Sequence, residues 1–454
     1  MELKNKTVLV AGTGISGIGA TKLLLAVGAH VVLYDSNAEL TKEEILGRFD
    51  TPVPQISVIT GELSPEAMEG LHLAVLSPGV PVDAPFVKEM AERRIPIWGE
   101  IELAYHYGKG VVAAITGTNG KTTTTALTGE IMKAWCSQVF VVGNIGNSYT
   151  QRALETTENS VTVAEISSFQ LETIRDFKPH VAAVLNITPD HLNRHHTMDC
   201  YIQTKKRIFE NQDADDFTVL NYDDEITRAM AEDTKGQVIF FSGRHVLEEG
   251  YYFKDGEILY AHEGRHRHIC YDSDLNILGL HNMENVMAAV AIATCLGVPE
   301  DVIFKALTRF KAVEHRIEYV AEKKGVYYYN DSKGTNPDAA IKAVEAMVRP
   351  TLLIGGGYDK QSEYDEWIRS FGDKVRLLVL LGQTAEKIEN CARAHGFTSI
   401  IRVESLKEAV DVCASHACPG DAVLLSPACA SWGMFKNYEE RGRLFKQYVQ
   451  QLED

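Results

Sequence analysis

Short apolar runs recur along the whole chain, and most are followed by a glycine-rich or polar turn and then by a segment with helical spacing. The opening stretch, KTVLVAGTGISGIGATKLLLAVGAHVVLYD, has this order and ends with a second apolar run that stops at Asp35. Such an order predicts a strand, a tight turn, a helix and a second strand. Its repetition along the chain predicts parallel sheets covered by helices, which is the α/β class.

The alternation divides into three segments. The first ends near Ile97–Glu100, and the third begins near Val313 with the strand-like runs GVYYYN, RPTLLIGG, RLLVLLG and DAVLLSP. We therefore predict three α/β domains, since a chain of 454 residues fits about three units of ~150 residues. They are a Rossmann-like domain over 1–98, a central P-loop-type domain over 99–312, and a second Rossmann-like domain over 313–454.

The stretch AITGTNGKTTTT opens the second segment and predicts a phosphate-binding loop. An apolar run ends at Ile115, Gly117 and Gly120 permit a tight turn, and Lys121-Thr122 begins a helix. Backbone N–H groups at such a helix start can hold phosphate oxygens, a lysine neutralises charge, and a threonine hydroxyl can reach a magnesium ion. The stretch departs from the common G-x-x-x-x-G-K-T pattern, which places glycine where this chain has Ile115.

Charge and composition disfavour three classes of protein: nucleic-acid-binding, secreted and membrane-spanning proteins. The chain has 62 acidic and 45 basic residues, a net charge of −17, which disfavours a general nucleic-acid surface. Its start, MELKNKTVLVAG, lacks the apolar core of a signal peptide, and no apolar run approaches the ~20 residues of a membrane span. We expect a soluble cytoplasmic protein that binds neither nucleic acid nor membrane.

The cysteines form no C-x-x-C pair, so reduced structural thiols are a better interpretation than a metal site or disulfides. They stand at Cys136, Cys200, Cys270, Cys295, Cys391, Cys413, Cys418 and Cys429.

The first segment carries a second nucleotide signal. Gly12, Gly14 and Gly17 form G-x-G-x-x-G, and Asp35 stands near the position of a ribose-binding acid. A nicotinamide-dependent oxidoreductase and a protein that binds another nucleotide both fit this turn. A nucleotide switch is a further alternative, which depends on the GKT loop alone.

Polar residues follow the apolar strands of the middle segment. Glu165 comes after VTVA and could bind magnesium, and His191 beside Asp190 could supply an imidazole for a metal or a substrate. Because parallel strands end at one edge of a sheet, we expect these side chains near the phosphate loop.

Taken in order along the chain, several motifs together resemble the Mur ligases, the ATP-dependent enzymes that build the peptidoglycan stem peptide. These are TGTNGKT, GNIG, EISSFQLE, LNITPDHLNRH, GLHNMEN, EHRIE and NDSKGTNPDA. Within that family, NDSKGTNPDA and SPACASWGMFKNYEERG resemble the branch that adds D-glutamate. Two positions depart from the pattern: Gly433 stands where an acidic residue is usual, and Asn37 where some relatives have a basic one.

The resemblance implies that ATP activates the carboxylate of UDP-N-acetylmuramoyl-L-alanine as an acyl phosphate, which the amine of D-glutamate attacks. It implies two magnesium ions, held by Thr122, Glu165, His191 and Lys205, the last as a carbamate formed with carbon dioxide. The expected catalytic residues are Lys121, Glu165, His191 and Lys205. We also expect a monomer.

Three groups of binding residues follow from the same resemblance. ATP would contact Gly117, Thr118, Asn119, Gly120, Lys121, Thr122, Thr123, Asn282, Asn285, His315, Arg316, Asp331 and Lys333. The uridine diphosphate sugar would contact Ile15, Ser16, Ser36, Gly79, Asn144 and His191. D-glutamate would contact Thr335, Lys360, Ser431 and Tyr438. Another Mur-type ligase or a folylpolyglutamate synthase is the nearest alternative, although the latter family normally begins with its ATPase domain.

Overall fold

Three sheets follow one another along the chain in the computed structural model, which describes residues 2–51, 53, 56–144 and 147–453. Ile145 and Gly146 of the GNIG motif lie outside the described residues. The chain forms two compact units, Met1–Cys270 with Glu284–Leu307, and Tyr271–Met283 with Thr308–Asp454. The three-sheet α/β architecture confirms the predicted fold class. The predicted limits at 98/99 and 312/313 stay predictions.

The first sheet is wholly parallel, with strand order β3-β2-β1-β4-β5. Its strands are β1 (Thr7–Ala11), β2 (His30–Asp35), β3 (Ser57–Thr60), β4 (Leu73–Leu76) and β5 (Ile97–Gly99). Its helices are α1 (Ile15–Ala26), α2 (Lys42–Leu46), α3 (Pro85–Glu92) and α4 (Glu100–Tyr107). The order reverses direction between β1 and β4, where such sheets form a ligand crevice at the carboxyl ends of their strands.

The second sheet has the order β14-β13-β12-β11-β10-β9-β6-β8-β7 and is parallel from β7 to β12. Its strands are β6 (Val111–Thr116), β7 (Val139–Gly143), β8 (Val161–Glu165), β9 (Val181–Val184), β10 (Phe217–Asn221), β11 (Gln237–Ser242), β12 (Gly250–Lys254), β13 (Glu257–His262) and β14 (Arg265–Tyr271). The helices of this segment are α5 (Lys121–Trp135), α6 (Tyr149–Arg152), α7 (Ser168–Leu171), α8 (Leu192–His195), α9 (Met198–Lys206), α10 (Glu225–Ala229), α11 (Leu280–Cys295) and α12 (Glu300–Arg309).

The third sheet has the order β15-β16-β20-β17-β18-β19, and only its edge pair β15/β16 is antiparallel. Its strands are β15 (Glu318–Lys323), β16 (Val326–Asn330), β17 (Thr351–Gly355), β18 (Val375–Leu380), β19 (Ile400–Arg402) and β20 (Ala422–Leu425). Its helices are α13 (Pro337–Ala346), α14 (Asp365–Arg369), α15 (Ala385–Ala394), α16 (Leu406–His416) and α17 (Tyr438–Gln450). Short 3-10 helices occupy Glu66–Met68, Ala153–Glu155, Arg207–Phe209, Met230–Glu232 and Asp272–Asp274.

All eight cysteines lie within the described ranges as free thiols. None of the helices in those ranges combines the length and the apolarity that crossing a bilayer requires.

Apolar packing joins the first two sheets inside the first unit. One continuous cluster runs from Val8 and Val10 of β1 through Trp98 and Ile101 to Val112 of β6, and these side chains are almost fully buried. Burial of apolar side chains is the main favourable term in folding, so this shared cluster stabilises both sheets together.

Glu102 of α4 is a polar anchor in this packing. Its side chain is 1% exposed, and its two carboxylate oxygens accept hydrogen bonds from the backbone N–H groups of Arg175, Asp176 and Phe177 at 2.8, 2.9 and 3.0 Å. The contact fixes the loop between α7 and β9, which would otherwise bury unpaired amide groups.

We predict that Glu102→Ala lowers the free energy of unfolding by about 2–4 kcal/mol, because three buried amide donors lose their acceptor. Urea unfolding followed by circular dichroism measures this change. The exposed Glu92 at the end of α3 supplies a control in Glu92→Ala, which we expect to stay within about 0.5 kcal/mol of the parent. Equal stability of the two variants would contradict the anchoring role.

Candidate active site

The loop between β6 and α5 has the backbone of a phosphate-binding turn. Gly117 and Gly120 have φ values of +149° and +86°, and Gly120 is the N-cap residue of α5. A Cβ atom at Gly120 would lie 2.2 Å from Asn285 Oδ1, so a side chain is excluded there. The predicted order of strand, glycine turn and helix is therefore present, and both glycines are required by conformation and close packing.

The segment after β9 holds this loop in place. The backbone N–H of Asn119 donates to Asn186 Oδ1 at 2.8 Å, and Asn186 Nδ2 donates back to the Asn119 carbonyl at 3.1 Å. Thr118 Oγ1 donates to the Thr188 carbonyl at 3.1 Å and accepts from the Thr188 N–H at 3.0 Å. Lys121 Nζ bends back and donates to the carbonyls of Gly117 and Thr118, each at 2.9 Å.

Glu165, the last residue of β8, is a buried carboxylate beside this loop. Its side chain is 1% exposed, and Oε1 accepts a hydrogen bond from Asn144 Nδ2 at 3.0 Å. Oε2 is buried and has no hydrogen-bond partner within the described residues. Because a buried unpaired carboxylate oxygen is costly, this atom fits a position that a cation completes.

Lys205 of α9 is as deeply buried as Glu165, with 2% of the residue exposed. Its Nζ donates to the Gly117 carbonyl at 2.9 Å and to Thr116 Oγ1 at 3.3 Å. Burial lowers the pKa of Lys205 well below its ordinary value, and the charge of Lys121 lowers it further, against the opposite effects of Asp190 and Glu165. The amine is thus disposed to lose its proton, and neutral amines are nucleophiles.

His191 stands at the start of α8 in a left-handed conformation, with a φ value of +52°. Half of its side chain is exposed, Nε2 lies 3.4 Å from Asp190 Oδ2, and the ring packs 4.8 Å from that of Phe169. Thr122 is the second residue of α5 and Thr123 the third. The charges of Lys121 and Glu165 both act on Lys205, so the structure brings these two predicted residues near the third.

The first sheet carries most of the residues expected to bind the uridine diphosphate sugar. Those that follow the carboxyl ends of β1, β2 and β4 are Ile15, Ser16, Ser36 and Gly79. Ile15, the first residue of α1, is 74% exposed. A Cβ atom at Gly17 would lie 1.8 Å from the Gly12 carbonyl oxygen, so the glycine-rich turn packs directly on its helix.

Asp35 has a role within the protein. Its Oδ2 accepts from Thr13 Oγ1 at 2.6 Å and from the Thr13 N–H at 3.2 Å, while Arg48 Nη1 donates to the same threonine. This network fastens the glycine-rich turn to β2. It disfavours the oxidoreductase alternative, in which the carboxylate would bind a ribose.

In the second unit, Asp331 and Lys333 follow β16. Asp331 is 6% exposed, its Oδ2 accepts from Ser426 Oγ at 2.7 Å, and burial raises its pKa to about 7. Lys333 Nζ lies 3.8 Å from the ring centroid of Tyr438, a cation–π contact.

His315 is buried in a left-handed conformation, with a φ value of +68°, and Asn330 Nδ2 donates to its Nδ1 at 2.9 Å. Burial lowers the pKa of His315, which favours the neutral imidazole. Arg316 follows it directly. Asn282 and Asn285, also expected to bind ATP, lie in the first two turns of α11. Asn282 Nδ2 donates to the Leu278 carbonyl, and Asn285 Oδ1 accepts from Thr124 Oγ1.

The residues expected to bind D-glutamate follow three neighbouring strands of the third sheet, β16, β20 and β17. They are Thr335, Ser431, Tyr438 and Lys360. Ser431 is buried and Lys360 is exposed. The ligand roles assigned to all these positions stay predictions.

Sequence reasoning missed two residues that organise these loops. Asn186 stands directly after the apolar run VAAVL, so its strand-end position could have identified it. Arg441 is 2% exposed and donates to the Ser332 carbonyl and hydroxyl and to the Cys429 carbonyl. Arg441 lies among charged residues of α17, and this local sequence does not indicate that its side chain is buried.

Comparison with known families gives matches over most of the chain. The Mur ligase MurD-like N-terminal domain matches residues 6–99, the Mur ligase middle domain matches 115–293, and the Mur ligase glutamate ligase domain matches 315–429.

Curated relatives extend the match to the full length. UDP-N-acetylmuramoylalanine--D-glutamate ligase of Lachnospira eligens is 55% identical over 453 residues, and that of Lachnoclostridium phytofermentans is 56% identical over 454, each covering 100% of both chains. Among solved structures, MurC from Thermotoga maritima has a TM-score of 0.61 at 20% identity, covering 98% of this chain and 99% of its own. MurF from Thermotoga maritima in complex with ADP has a TM-score of 0.60 at 18% identity, covering 99% and 96%. The structural likeness concerns the fold, and the full-length identity together with the three domain matches shows that the chain belongs to the Mur ligase family.

Proposed function

We propose that this protein is an ATP-dependent ligase that joins D-glutamate to UDP-N-acetylmuramoyl-L-alanine and releases ADP and phosphate, a step of peptidoglycan precursor synthesis. The observation that carries the proposal is the 55% identity over the full length to a ligase named for this reaction. The N-terminal match over 6–99 weighs against the folylpolyglutamate alternative, because that family normally begins with its ATPase domain. We expect a cytoplasmic monomer.

Amide formation from a carboxylate in water needs an activated acyl group, since the carboxylate carbon is a poor electrophile. Phosphorylation of the L-alanyl carboxylate by ATP creates an acyl phosphate with a good leaving group. The amine of D-glutamate then attacks the acyl carbon through a tetrahedral intermediate. Because the reactants are anionic, catalysis depends mainly on charge neutralisation and positioning.

The loop residues 117–123 suit the phosphate end of ATP. Their backbone turns into the start of α5, where N–H groups and the helix dipole favour anions, and Lys121 supplies a positive charge. Its present contacts with the Gly117 and Thr118 carbonyls place the ammonium directly over the loop. Lys121 would neutralise charge on the transferred phosphoryl group.

Magnesium fits the donor set at the strand ends, because Glu165 has a buried carboxylate oxygen without a hydrogen-bond partner among the described residues. Thr122 and Glu165 would hold one ion, and His191 and a carbamate on Lys205 would hold the second. Bound magnesium would neutralise phosphate charge and polarise the acyl oxygen. The proposed carbamate is supported by the family resemblance and by the burial of Lys205 against the loop.

The remaining residues bind substrates in the proposal. Asn144 and His191 would contact the sugar of the uridine nucleotide, and the crevice after β1, β2 and β4 would hold its diphosphate and uridine. Lys360 would pair with a carboxylate of D-glutamate, which Thr335 and Ser431 would orient with hydroxyl groups.

The reaction assay is phosphate release from ATP in the presence of UDP-N-acetylmuramoyl-L-alanine and a panel of amino acids. We expect release with D-glutamate and little with L-glutamate, D-aspartate, L-lysine or L-alanine. Release that is independent of the amino acid, or of the uridine nucleotide, would overturn the proposal.

Gly120→Ala should weaken ATP binding by about ten-fold or more, because the new methyl group meets Asn285 Oδ1 and a left-handed backbone costs about 1–2 kcal/mol for a residue with a side chain. Calorimetric titration with ATP measures the affinity. The control is Gly70→Ala, at a φ value of +74° with open space around its Cβ position. Equal ATP affinity in the two variants would show that the close packing of the loop is unimportant for binding.

Lys205→Ala should reduce turnover by at least about a hundred-fold while the protein stays folded, because a group that organises charge in the site is lost. Short carboxylic acids should restore part of the activity by occupying the place of the carbamate. The matched control is Lys206→Ala, since the neighbouring lysine pairs with Asp233 at 2.6 Å and has no contact with the loop among the described residues. Full activity of Lys205→Ala without added acid is incompatible with this role.

Lys360→Ala should raise the KM for D-glutamate by about ten- to a hundred-fold, because a dicarboxylate loses its counter-charge. The KM for ATP should change little. Lys407→Ala serves as the control, since this lysine pairs with Asp411 on the surface of α16. A raised KM for ATP with an unaltered one for D-glutamate would place Lys360 in a different site.

A further inference from the structure

An exposed aromatic pair stands beside Lys360 in the second unit. The rings of Tyr358 and Trp432 are 5.5 Å apart between centroids and lie at 61° to one another. Lys360 Nζ lies 5.1 Å from the centroid of the Trp432 ring. Tyr358 is 40% and Trp432 54% exposed, so this arrangement is not part of the hydrophobic core.

Backbone pairing holds the two aromatic residues in place. The N–H of Tyr358 donates to the Ala430 carbonyl at 2.9 Å, and the two residues form an isolated antiparallel bridge. The bridge ties the loop after β17, which carries Lys360, to the loop after β20, which carries Ser431 and Trp432. The aromatic pair therefore stands on the same two loops as Lys360 and Ser431 of the proposed D-glutamate pocket.

The Lys360 ammonium has no acidic partner in the part of the chain that the structure describes. Within the described ranges no carboxylate lies at ion-pair distance from its Nζ, and the adjacent Asp359 lies 3.9 Å from Lys387 Nζ. Gly433, one of the two departures from the family pattern, contributes no side chain; it has a φ value of +81°, and a Cβ atom there would meet no heavy atom within 4 Å. Among the described residues, the Lys360 ammonium instead contacts the face of the Trp432 ring.

We propose that Trp432, supported by Tyr358, is a positioning residue that orients the Lys360 ammonium for a carboxylate of the incoming amino acid. The inference rests on the proposed function, since it takes Lys360 as the counter-charge for D-glutamate. An aromatic face attracts a cation without neutralising it, so the ammonium stays available for an anion. A carboxylate in the same place would compete with the substrate for that charge.

The test is steady-state kinetics with the full-length protein, with KM and kcat determined for each substrate. Trp432→Leu should raise the KM for D-glutamate by about two- to five-fold, the range expected for an exposed cation–π contact, with kcat and the KM for ATP unchanged. Trp432→Phe keeps an aromatic face, so its KM for D-glutamate should stay close to that of the parent protein. The control is Trp135→Leu at the end of α5, where the tryptophan is 51% exposed and outside the proposed pocket.

A double-mutant cycle isolates the contact. In a Lys360→Ala background, Trp432→Leu should cause no further rise in the KM for D-glutamate, because the two substitutions remove the same interaction. Three results would overturn the inference while Lys360→Ala still supports the proposed function. They are additive effects of the two substitutions, equal effects of Trp432→Leu and Trp432→Phe, and a KM for D-glutamate that Trp432→Leu leaves unchanged. If Lys360→Ala leaves the KM for D-glutamate unchanged, the proposed pocket itself is wrong, and the inference fails with it.

Discussion

Burial of Lys205, together with the nearby charge of Lys121, is the main electrostatic constraint on the site at the end of β6. Lys121 and Lys205 both donate to the Gly117 carbonyl, and the charge of Lys121 adds to burial in lowering the pKa of Lys205. Glu165 and Asp190 offset part of this lowering. Two lysine side chains at one carbonyl group favour anions nearby, which is consistent with the proposed binding of ATP phosphate groups at this loop.

The second unit also contains a buried cation, the guanidinium of Arg441. Arg441 reaches the loops after β16 and β20 through Ser332 and Cys429, and burial lowers its pKa to about 10. Its hydrogen bonds satisfy a guanidinium that would otherwise be costly to bury. The same helix begins with Tyr438, whose ring contacts Lys333, so one buried arginine helps to place two loops and an aromatic residue of the proposed site.

Of the antiparallel hairpins that sequence reasoning missed, one had a clear signal in the sequence. The central sheet was expected to be parallel, yet β12 and β13 form an antiparallel hairpin. The loops Asp255–Gly256, Glu263–Gly264 and Lys324–Gly325 all have two residues in left-handed conformations, the geometry of the tight hairpin turn that Asp-Gly favours. The other two turns lack that strong dipeptide, and periodicity alone does not give the direction of the strand that follows.

The sequence by itself determined the α/β class, the strand at 111–116 with its phosphate-type loop, the parallel strands of the third sheet and, through its motifs, the family. These follow from local patterns, because apolar runs, glycines and helix starts act over a few residues. Only the tertiary structure decided that Asp35 fastens a turn, that Glu165 keeps one carboxylate oxygen unpaired, and that Lys360 lies over Trp432. Those outcomes depend on burial and on partners distant in the chain, such as Thr13 for Asp35 and Trp432 for Lys360, and neither quantity is a property of a local stretch of sequence.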